Sequence, residues 1–192
     1  MIVKKFIFQL ILMITLVFTN QTYAQKKVFN GNPDTAFKIA RDLAFDGKRS
    51  QAQDSLLFIL TKYPNYLDIR AFLASTYSWD GSYAKARKEF AYVINKDNKR
   101  KTDWIAYIKN EQYAEKYYKA YNLVQKALIV FPNDADLLQL KAKSEFYSGK
   151  KQEAYTTIEK AVKMHPKNQE LLVYKNSLET TLSSNTVSLS YS

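Results

Sequence analysis

The chain has 192 residues, of which 46% are hydrophobic and 24% are charged, a composition typical of one globular domain or a short repeat array. This composition argues against disorder as the main state. The formal net charge of +11 favours anionic partners, and the lack of cysteine excludes disulfides, thiolate metal sites, a cysteine nucleophile and a lipidated N-terminal cysteine.

Residues 1–24 have the features of a secretory signal peptide. Two lysines precede an apolar run over residues 6–18, and the small residues Thr22 and Ala24 follow it, so cleavage is expected after Ala24. The alternative is an uncleaved anchor, but an apolar helix of this length reaches roughly 20 Å, less than the ~30 Å hydrocarbon core. The sequence therefore predicts export to the periplasm, with outer-membrane association as an open alternative, and a short N-terminal linker over residues 25–32.

A 34-residue repeat follows the linker. Gly47, Gly81 and Gly149 are separated by 34 and 68 residues. Placing each glycine at position 15 of a unit defines four repeats, which are residues 33–66, 67–100, 101–134 and 135–166. Position 20 is then alanine in every unit, position 8 is alanine in three units, and position 32 is proline in three units. A period of this length is typical of a stacked repeat architecture.

Each unit is predicted to form two antiparallel helices. Small residues at positions 8 and 20 allow the helices to approach closely, while larger residues at positions 24 and 27 fill the space beside them. Glycine at position 15 ends the first helix in a left-handed conformation, and proline at position 32 ends the second. The third unit has Glu115 in place of the glycine, and the second unit ends in the polar run 96–101, so a looser junction is expected there.

The C-terminal part is predicted to cap the array. Residues 167–183 form the expected capping helix, which Asn168 can begin, and which must cover the last apolar surface of a stacked array. Its apolar face would contain Leu171, Leu172, Leu178 and Leu182.

Residues 184–192 form a tail in which apolar and small polar residues alternate. Val187, Leu189 and Tyr191 have the period of a strand, and the pattern matches a strand of an outer-membrane barrel. The alternative is a frayed polar terminus.

The repeats resemble the tetratricopeptide repeat (TPR) family over residues 33–166. The resemblance rests on alanine at positions 8 and 20, glycine at position 15 and proline at position 32 of the units, together with the aromatic residues Tyr83, Trp104 and Tyr117. It implies an all-α fold, a TPR-type solenoid of four helix pairs and a capping helix, with a concave face formed by the first helices. The order of signal peptide, repeats and strand-like tail also resembles the N-terminal periplasmic part of YaiO-family outer-membrane β-barrel proteins.

In TPR proteins, positions 2, 5, 9, 12 and 13 commonly face the ligand. Here position 13 is aromatic in every unit, and position 9 is cationic in three of them. The resulting candidate site consists of Phe45, Trp79, Tyr113 and Tyr147, with Arg41, Lys109 and Lys143. Such a row can hold an extended peptide of a partner protein, or an acidic glycan whose sugar rings stack on aromatic faces. The alternative is that the rings pack against neighbouring helices and the lysines are solvated.

The TPR carboxylate clamp is not reproduced in this chain. Its positions hold only one cation, Arg41, among Phe37, Arg41, Phe72, Thr102 and Ala106. Binding of an acidic C-terminal peptide by that mechanism is therefore not expected.

No catalytic, cofactor or metal site is predicted. The single histidine, His165, precedes a proline at a helix end, where a cation favours the helix dipole. The glycines are too far apart to form a phosphate-binding loop. The predicted function is a non-enzymatic periplasmic interaction module with a protein partner. A nucleic-acid partner is not expected, because export separates the protein from it.

Overall fold

The computed structural model describes residues 28–190, with side chains as far as residue 183. Within this range the chain forms nine α-helices and no strand, so the predicted all-α class is confirmed. The predicted signal peptide lies outside the described residues. The helices are α1 (Pro33–Phe45), α2 (Arg49–Leu60), α3 (Leu67–Trp79), α4 (Tyr83–Lys96), α5 (Lys101–Tyr113), α6 (Tyr117–Val130), α7 (Ala135–Tyr147), α8 (Lys151–Met164) and α9 (Gln169–Ser190).

The helices stack as a solenoid of pairs. Each first helix, α1, α3, α5 and α7, begins at the first residue of a predicted unit. Each helix packs on the helix before it, and the first helices of neighbouring units also contact one another. Among the described helices, the second helices of different units make no such contact. The first helices therefore form the inner, concave layer, and the second helices form the outer, convex layer.

The core forms at the positions that recur in the sequence. At position 20 all four alanines are fully buried, as are the three alanines at position 8. The larger side chains of position 24 are also at most 1% exposed, and they are Leu56, Phe90, Val124 and Ile158. Burying one such side chain contributes about 1.5–3 kcal/mol, so the repeated apolar positions supply a continuous core along the array.

Four similar turns connect the helices of the pairs. Gly47, Gly81 and Gly149 have φ of 81°, 72° and 83°, and Glu115 has φ of 56° at the equivalent place. A left-handed residue costs little for glycine but is unfavourable for a side chain with a Cβ atom. The third unit thus keeps the same backbone turn without the residue that suits it.

The junction between the second and third units has a packed aromatic interior, and the expectation of a looser junction stays a prediction. Trp104 is 4% exposed, and its indole N–H donates to the carbonyl oxygen of Asn98 at 2.8 Å. The ring of Phe90 stacks on that of Tyr107 with centroids 5.8 Å apart. Asn98 stands at the position of the missing proline, and two residues later the guanidinium of Arg100 donates to the carboxylates of Asp68 and Asp103, which lie in the second and third units.

Part of the predicted N-terminal linker is packed against the first unit. Phe29 is 9% exposed and lies edge-on to Phe58 and Tyr63, at centroid distances of 5.5 and 6.3 Å. Its backbone N–H donates to the Thr61 hydroxyl at 3.1 Å. Phe29 therefore covers the apolar surface at the start of the array, which the sequence pattern did not predict.

The capping helix begins as expected but continues further. The side chain of Asn168 accepts a hydrogen bond from the N–H of Leu171 at 3.1 Å, and Leu171 and Leu178 are buried against the preceding pair. The backbone remains helical as far as Ser190. The strand predicted within residues 184–192 is therefore wrong as far as Ser190, and Tyr191 lies outside the described residues. A lone strand has no partner for its backbone groups, whereas a helix pairs them internally.

Candidate binding surface on the first helices

All four predicted aromatic side chains lie at the ends of first helices and are substantially exposed. The exposed fractions are 67% for Phe45, 49% for Trp79, 62% for Tyr113 and 59% for Tyr147. The exposed ring recurs at the same position of every unit, so these side chains form a repeated feature and are not isolated surface residues. These rings are accessible to a ligand.

Two of these rings belong to a larger group, which we call the N-terminal aromatic cluster and which contains Phe37, Phe45, Phe72 and Trp79 with Arg41. The ring of Phe45 lies 6.0 Å from both Phe72 and Trp79, measured between centroids. The guanidinium carbon of Arg41 lies 5.7 Å from the ring centre of Phe37 and 5.8 Å from that of Phe72. The sequence singles out Phe37 and Phe72 only because they occupy positions of the TPR carboxylate clamp. Their positions 5 and 6 on first helices are the signal that could have placed them in this cluster.

The C-terminal half of the row has a different arrangement. Tyr147 stacks on Tyr117 with centroids 4.9 Å apart and an interplanar angle of 21°. Burial raises the pKa of Tyr117, and the nearby Glu115 carboxylate and Tyr147 raise it further. Tyr113 and Lys109 are both exposed. The structure thus brings Phe45 and Trp79 together but places Tyr147 beside a ring of its neighbouring second helix.

A groove of about 470 Å³ lies between α7 and α9 and includes Lys143. The ammonium nitrogen of Lys143 is 5.4 Å from the ring centre of Tyr174. The hydroxyl of Tyr174 is buried and has no hydrogen-bond partner among the described side chains. Burial raises the pKa of this hydroxyl, with smaller contributions from Tyr147 and Glu145.

This C-terminal groove continues the concave face. Helix α9 begins 34 residues after α7, so it occupies the place of a first helix in a fifth unit. Lys143 is at position 9 of its unit, and Val173 and Ser177 are at positions 5 and 9 of the fifth. The groove is therefore lined by the positions that face ligands in the repeat resemblance.

The charge on the first helices is mixed. Helices α1, α3, α5, α7 and α9 contain eight basic and nine acidic residues, whereas α2, α4, α6 and α8 contain ten basic and four acidic residues. Arg41, Lys109 and Lys143 therefore lie among carboxylates, four of which occupy position 2 and are Asp34, Asp68, Asp136 and Glu170. The cationic excess of these helices lies on the outer layer, a separation that the net charge alone does not reveal.

The geometry at His165 matches its predicted structural role. Its Nε2 donates to the carbonyl oxygen of Asn133, with a nitrogen to oxygen distance of 2.7 Å. Among residues 28–183, no group of three histidine, aspartate or glutamate side chains could hold a metal ion. No helix in the described part of the chain has the length and apolar character needed to span a membrane.

Solved structures with the same arrangement of helices are numerous. A tetratricopeptide repeat protein from Parabacteroides merdae superposes with a TM-score of 0.71 and 16% identity, over 83% of this chain and 62% of that one. The chain has the TPR fold. MamA from Desulfovibrio magneticus RS-1 superposes with a TM-score of 0.67 and 13% identity, over 83% of this chain and 91% of that one. The TPR protein TTC0263 from Thermus thermophilus superposes with a TM-score of 0.61 and 13% identity, over 79% of this chain and 83% of that one.

No family model matches the sequence, and no curated protein matches it. The identities to the TPR structures are so low that the likeness shows the fold alone.

Proposed function

We propose that the protein is a non-enzymatic interaction module that binds an extended segment of a partner protein along its first helices. The observation that carries this proposal is the exposed aromatic residue at position 13 of every unit. Exposed aromatic side chains supply large contact areas and are common anchors in protein interfaces. The TPR fold supports a binding function, and the recurrence of the ring on consecutive first helices suits a segment that extends along the array.

The mixed charge of the first helices favours a protein segment over an acidic polysaccharide. A polyanion would place successive negative charges along helices that contain about as many acidic as basic residues. A protein segment can match basic and acidic positions in turn. The polysaccharide is therefore the second candidate, supported by the pairing of Lys143 with the Tyr174 ring.

The test is a comparison of equally exposed tyrosines on the two faces. Tyr113 on α5 is 62% exposed and Tyr118 on α6 is 67% exposed. Partners cross-linked in a cell-envelope extract are compared for the native protein, Tyr113→Ala and Trp79→Ala, with Tyr118→Ala as the matched control. We expect capture of the same protein to be lost in the first two variants and kept in the third.

Loss of capture in Tyr118→Ala alone would contradict the proposal. Titration with alginate tests the polysaccharide candidate, because salt-sensitive binding that Tyr113→Ala abolishes would favour a glycan instead.

We further propose that the protein is exported and works in the cell envelope. The proposal rests on residues 1–24, whose lysines, apolar run and small residues have the order of a signal peptide. Intact-mass measurement of the native protein in periplasmic and outer-membrane fractions tests it. A species with the mass of residues 25–192 in the periplasm supports a processed periplasmic protein. A species well above 22.3 kDa in the outer membrane would instead support the YaiO-like arrangement, with a barrel after the repeats.

A further inference from the structure

The convex face contains an open groove between the second helices of the second and third units, which we call the convex groove. Its volume is about 440 Å³. Trp104 and Tyr107 on α5 lie among its lining residues, as do Ile94 of α4 and Leu123 and Ile129 of α6. Trp104, Tyr107 and Ile94 are at most 8% exposed, whereas Ile129 is 82% exposed. The groove therefore has a buried aromatic floor and an exposed aliphatic edge.

The preceding junction shows that the groove need not be open. There Arg70 and Tyr92 occupy the positions that Trp104 and Lys126 hold in the next unit. The guanidinium of Arg70 lies 4.1 Å from the ring centre of Tyr92 and forms an ion pair with Glu89. Arg70 also donates to the carbonyl oxygen of Pro64 and the Tyr92 hydroxyl donates to Asn65, so these side chains fill the space between α4 and the loop that joins α2 to α3.

At the convex groove the three equivalent positions hold side chains that cannot make these contacts. Trp104, Leu123 and Lys126 replace Arg70, Glu89 and Tyr92 in the repeat register. The ion pair is therefore absent, two positions are apolar, and the third is an exposed lysine. An apolar group from outside can fill the space that the arginine fills one unit earlier.

The rim of the groove is cationic. Lys126 lines it, and Lys119 lies on α6 one turn before Leu123, which also lines the groove. Lys88 is similarly placed on α4, one turn before Ala91, which also lines the groove. All three lysines are exposed. Across α4 and α6 together there are six basic residues, of which Arg87 pairs with Glu111, and one acidic residue, Glu89, which Arg70 already pairs.

Two further charged residues lie at the loop end of the groove. Asp97 follows α4 and is half-buried, and its side chain accepts a hydrogen bond from the backbone N–H of Lys99 at 2.9 Å. Lys99 itself is exposed. The balance of charge around the opening therefore remains positive.

We propose that the convex groove is a second docking site, which binds a partner-protein segment carrying one large apolar side chain flanked by acidic residues. The apolar side chain enters between Ile129 and the Trp104 floor, where burial of an aromatic or aliphatic group is favourable. The carboxylates meet the lysine rim, which steers association and fixes the segment. A recessed groove suits an inserted side chain better than a flat membrane surface does. The site is independent of the proposed function of the first helices.

The test uses Trp104 fluorescence as a reporter within the groove. The protein contains two tryptophans, Trp79 and Trp104, so a Trp79→Phe background leaves Trp104 as the sole tryptophan, which excitation at the red edge of the absorption band selects over the tyrosines. The probe is the peptide Asp-Glu-Phe-Glu-Asp, and the matched peptide carries serine in place of phenylalanine. We expect the phenylalanine peptide alone to give a saturable change, which weakens at higher ionic strength.

Matched variants locate the binding. Lys126 and Lys160 occupy the same position in consecutive units and are both exposed, but only Lys126 lines the groove. We expect Lys126→Glu and Ile129→Asp each to weaken peptide binding by about tenfold or more. Lys160→Glu should bind within about twofold of the parent. Both lysines are at the surface, so their reversal should leave the fold intact, which circular dichroism verifies.

Four results would overturn the proposal. The first is no saturable change up to about 1 mM peptide, the weak end of measurable affinity. The second is equal binding of the serine peptide or of Lys126→Glu. The third is a Trp104 response to phosphatidylglycerol vesicles without one to the peptide, which would indicate a membrane contact. The fourth is concentration-dependent self-association lost in Ile129→Asp, which would indicate a second copy. Peptide binding retained in Tyr113→Ala would separate this site from the first-helix surface.

Discussion

Replacing Glu115 by glycine should stabilise the protein, although it removes a whole side chain. Glu115 has φ of 56°, at the place where the other units have Gly47, Gly81 and Gly149. The backbone turn is the same, because the N–H after each of these residues donates to a carbonyl five residues earlier, at 2.8–2.9 Å. Glycine can adopt this conformation without the steric conflict of a Cβ atom.

The size of the effect follows from two opposing contributions. A non-glycine residue in the left-handed conformation costs about 1–2 kcal/mol. Glycine increases the entropy of the unfolded chain, which costs about 0.4–1 kcal/mol. Glu115→Gly should therefore raise the free energy of unfolding by about 0.5–1 kcal/mol. The reverse change, Gly47→Ala, should lower it by a similar amount, since no atom lies within 4 Å of an added Cβ and only the backbone conformation matters.

Urea denaturation measures both changes, with Ala114→Gly as the matched control in the same turn. Ala114 has φ of −78°, so glycine there gives no relief and should destabilise by about 0.5–1 kcal/mol. If Glu115→Gly destabilises the protein as much as Ala114→Gly does, left-handed strain at this turn is not significant. A gain accompanied by an unchanged slope against urea concentration supports the reasoning.

Three further substitutions test the packing. Phe29→Ala should cost about 3 kcal/mol and increase amide exchange first in α1 and α2, whereas uniform exchange along the array would contradict a local role for this cap. Arg87→Ala should lower the free energy of unfolding by about 3–5 kcal/mol, because Glu111 is 1% exposed and loses both of its guanidinium hydrogen bonds. Replacing both residues by leucine should recover most of this loss. If the double variant shows no recovery, the explanation is refuted. Burial raises the pKa of Tyr174 above its value of about 10 in the unfolded chain. The stability that this difference contributes is present below about pH 10 and should decline as the pH rises above that value. Tyr174→Phe should show a smaller decline in alkaline thermal melts, and an identical pH profile would exclude this residue as a cause.

The fold was predictable because the information that specifies it is local and repeated. Glycine, alanine and proline at fixed positions of a 34-residue period define where each helix begins, packs and ends. Tertiary contacts then follow from stacking similar units, so no long-range pairing had to be guessed. The exposed row from Phe45 to Tyr147 came from the same register.

Other features depended on contacts between residues whose pairing no period encodes. Glu111 is unexpected at its place in the unit until Arg87, 24 residues earlier, is seen to pair with it across the junction. Phe29 precedes the first repeat, so no equivalent position indicated that it would pack on Phe58. The alternation in residues 184–190 predicted a strand, but with no neighbouring strand in the described part of the chain the backbone pairs its own groups in a helix.

The charge separation between the two layers has a consequence for how the protein can act. A solenoid exposes two long faces, and here the inner face combines aromatic rings with balanced charges while the outer face carries the cationic excess. Because each unit has the same backbone, equivalent positions in neighbouring units serve as controls for one another. The change from Arg70 and Tyr92 to Trp104 and Lys126 opens a groove at one junction while leaving the helix register unchanged. Two chemically distinct surfaces on opposite layers would let the protein hold two partners at once, as a bridging adaptor requires and a single-site binder does not.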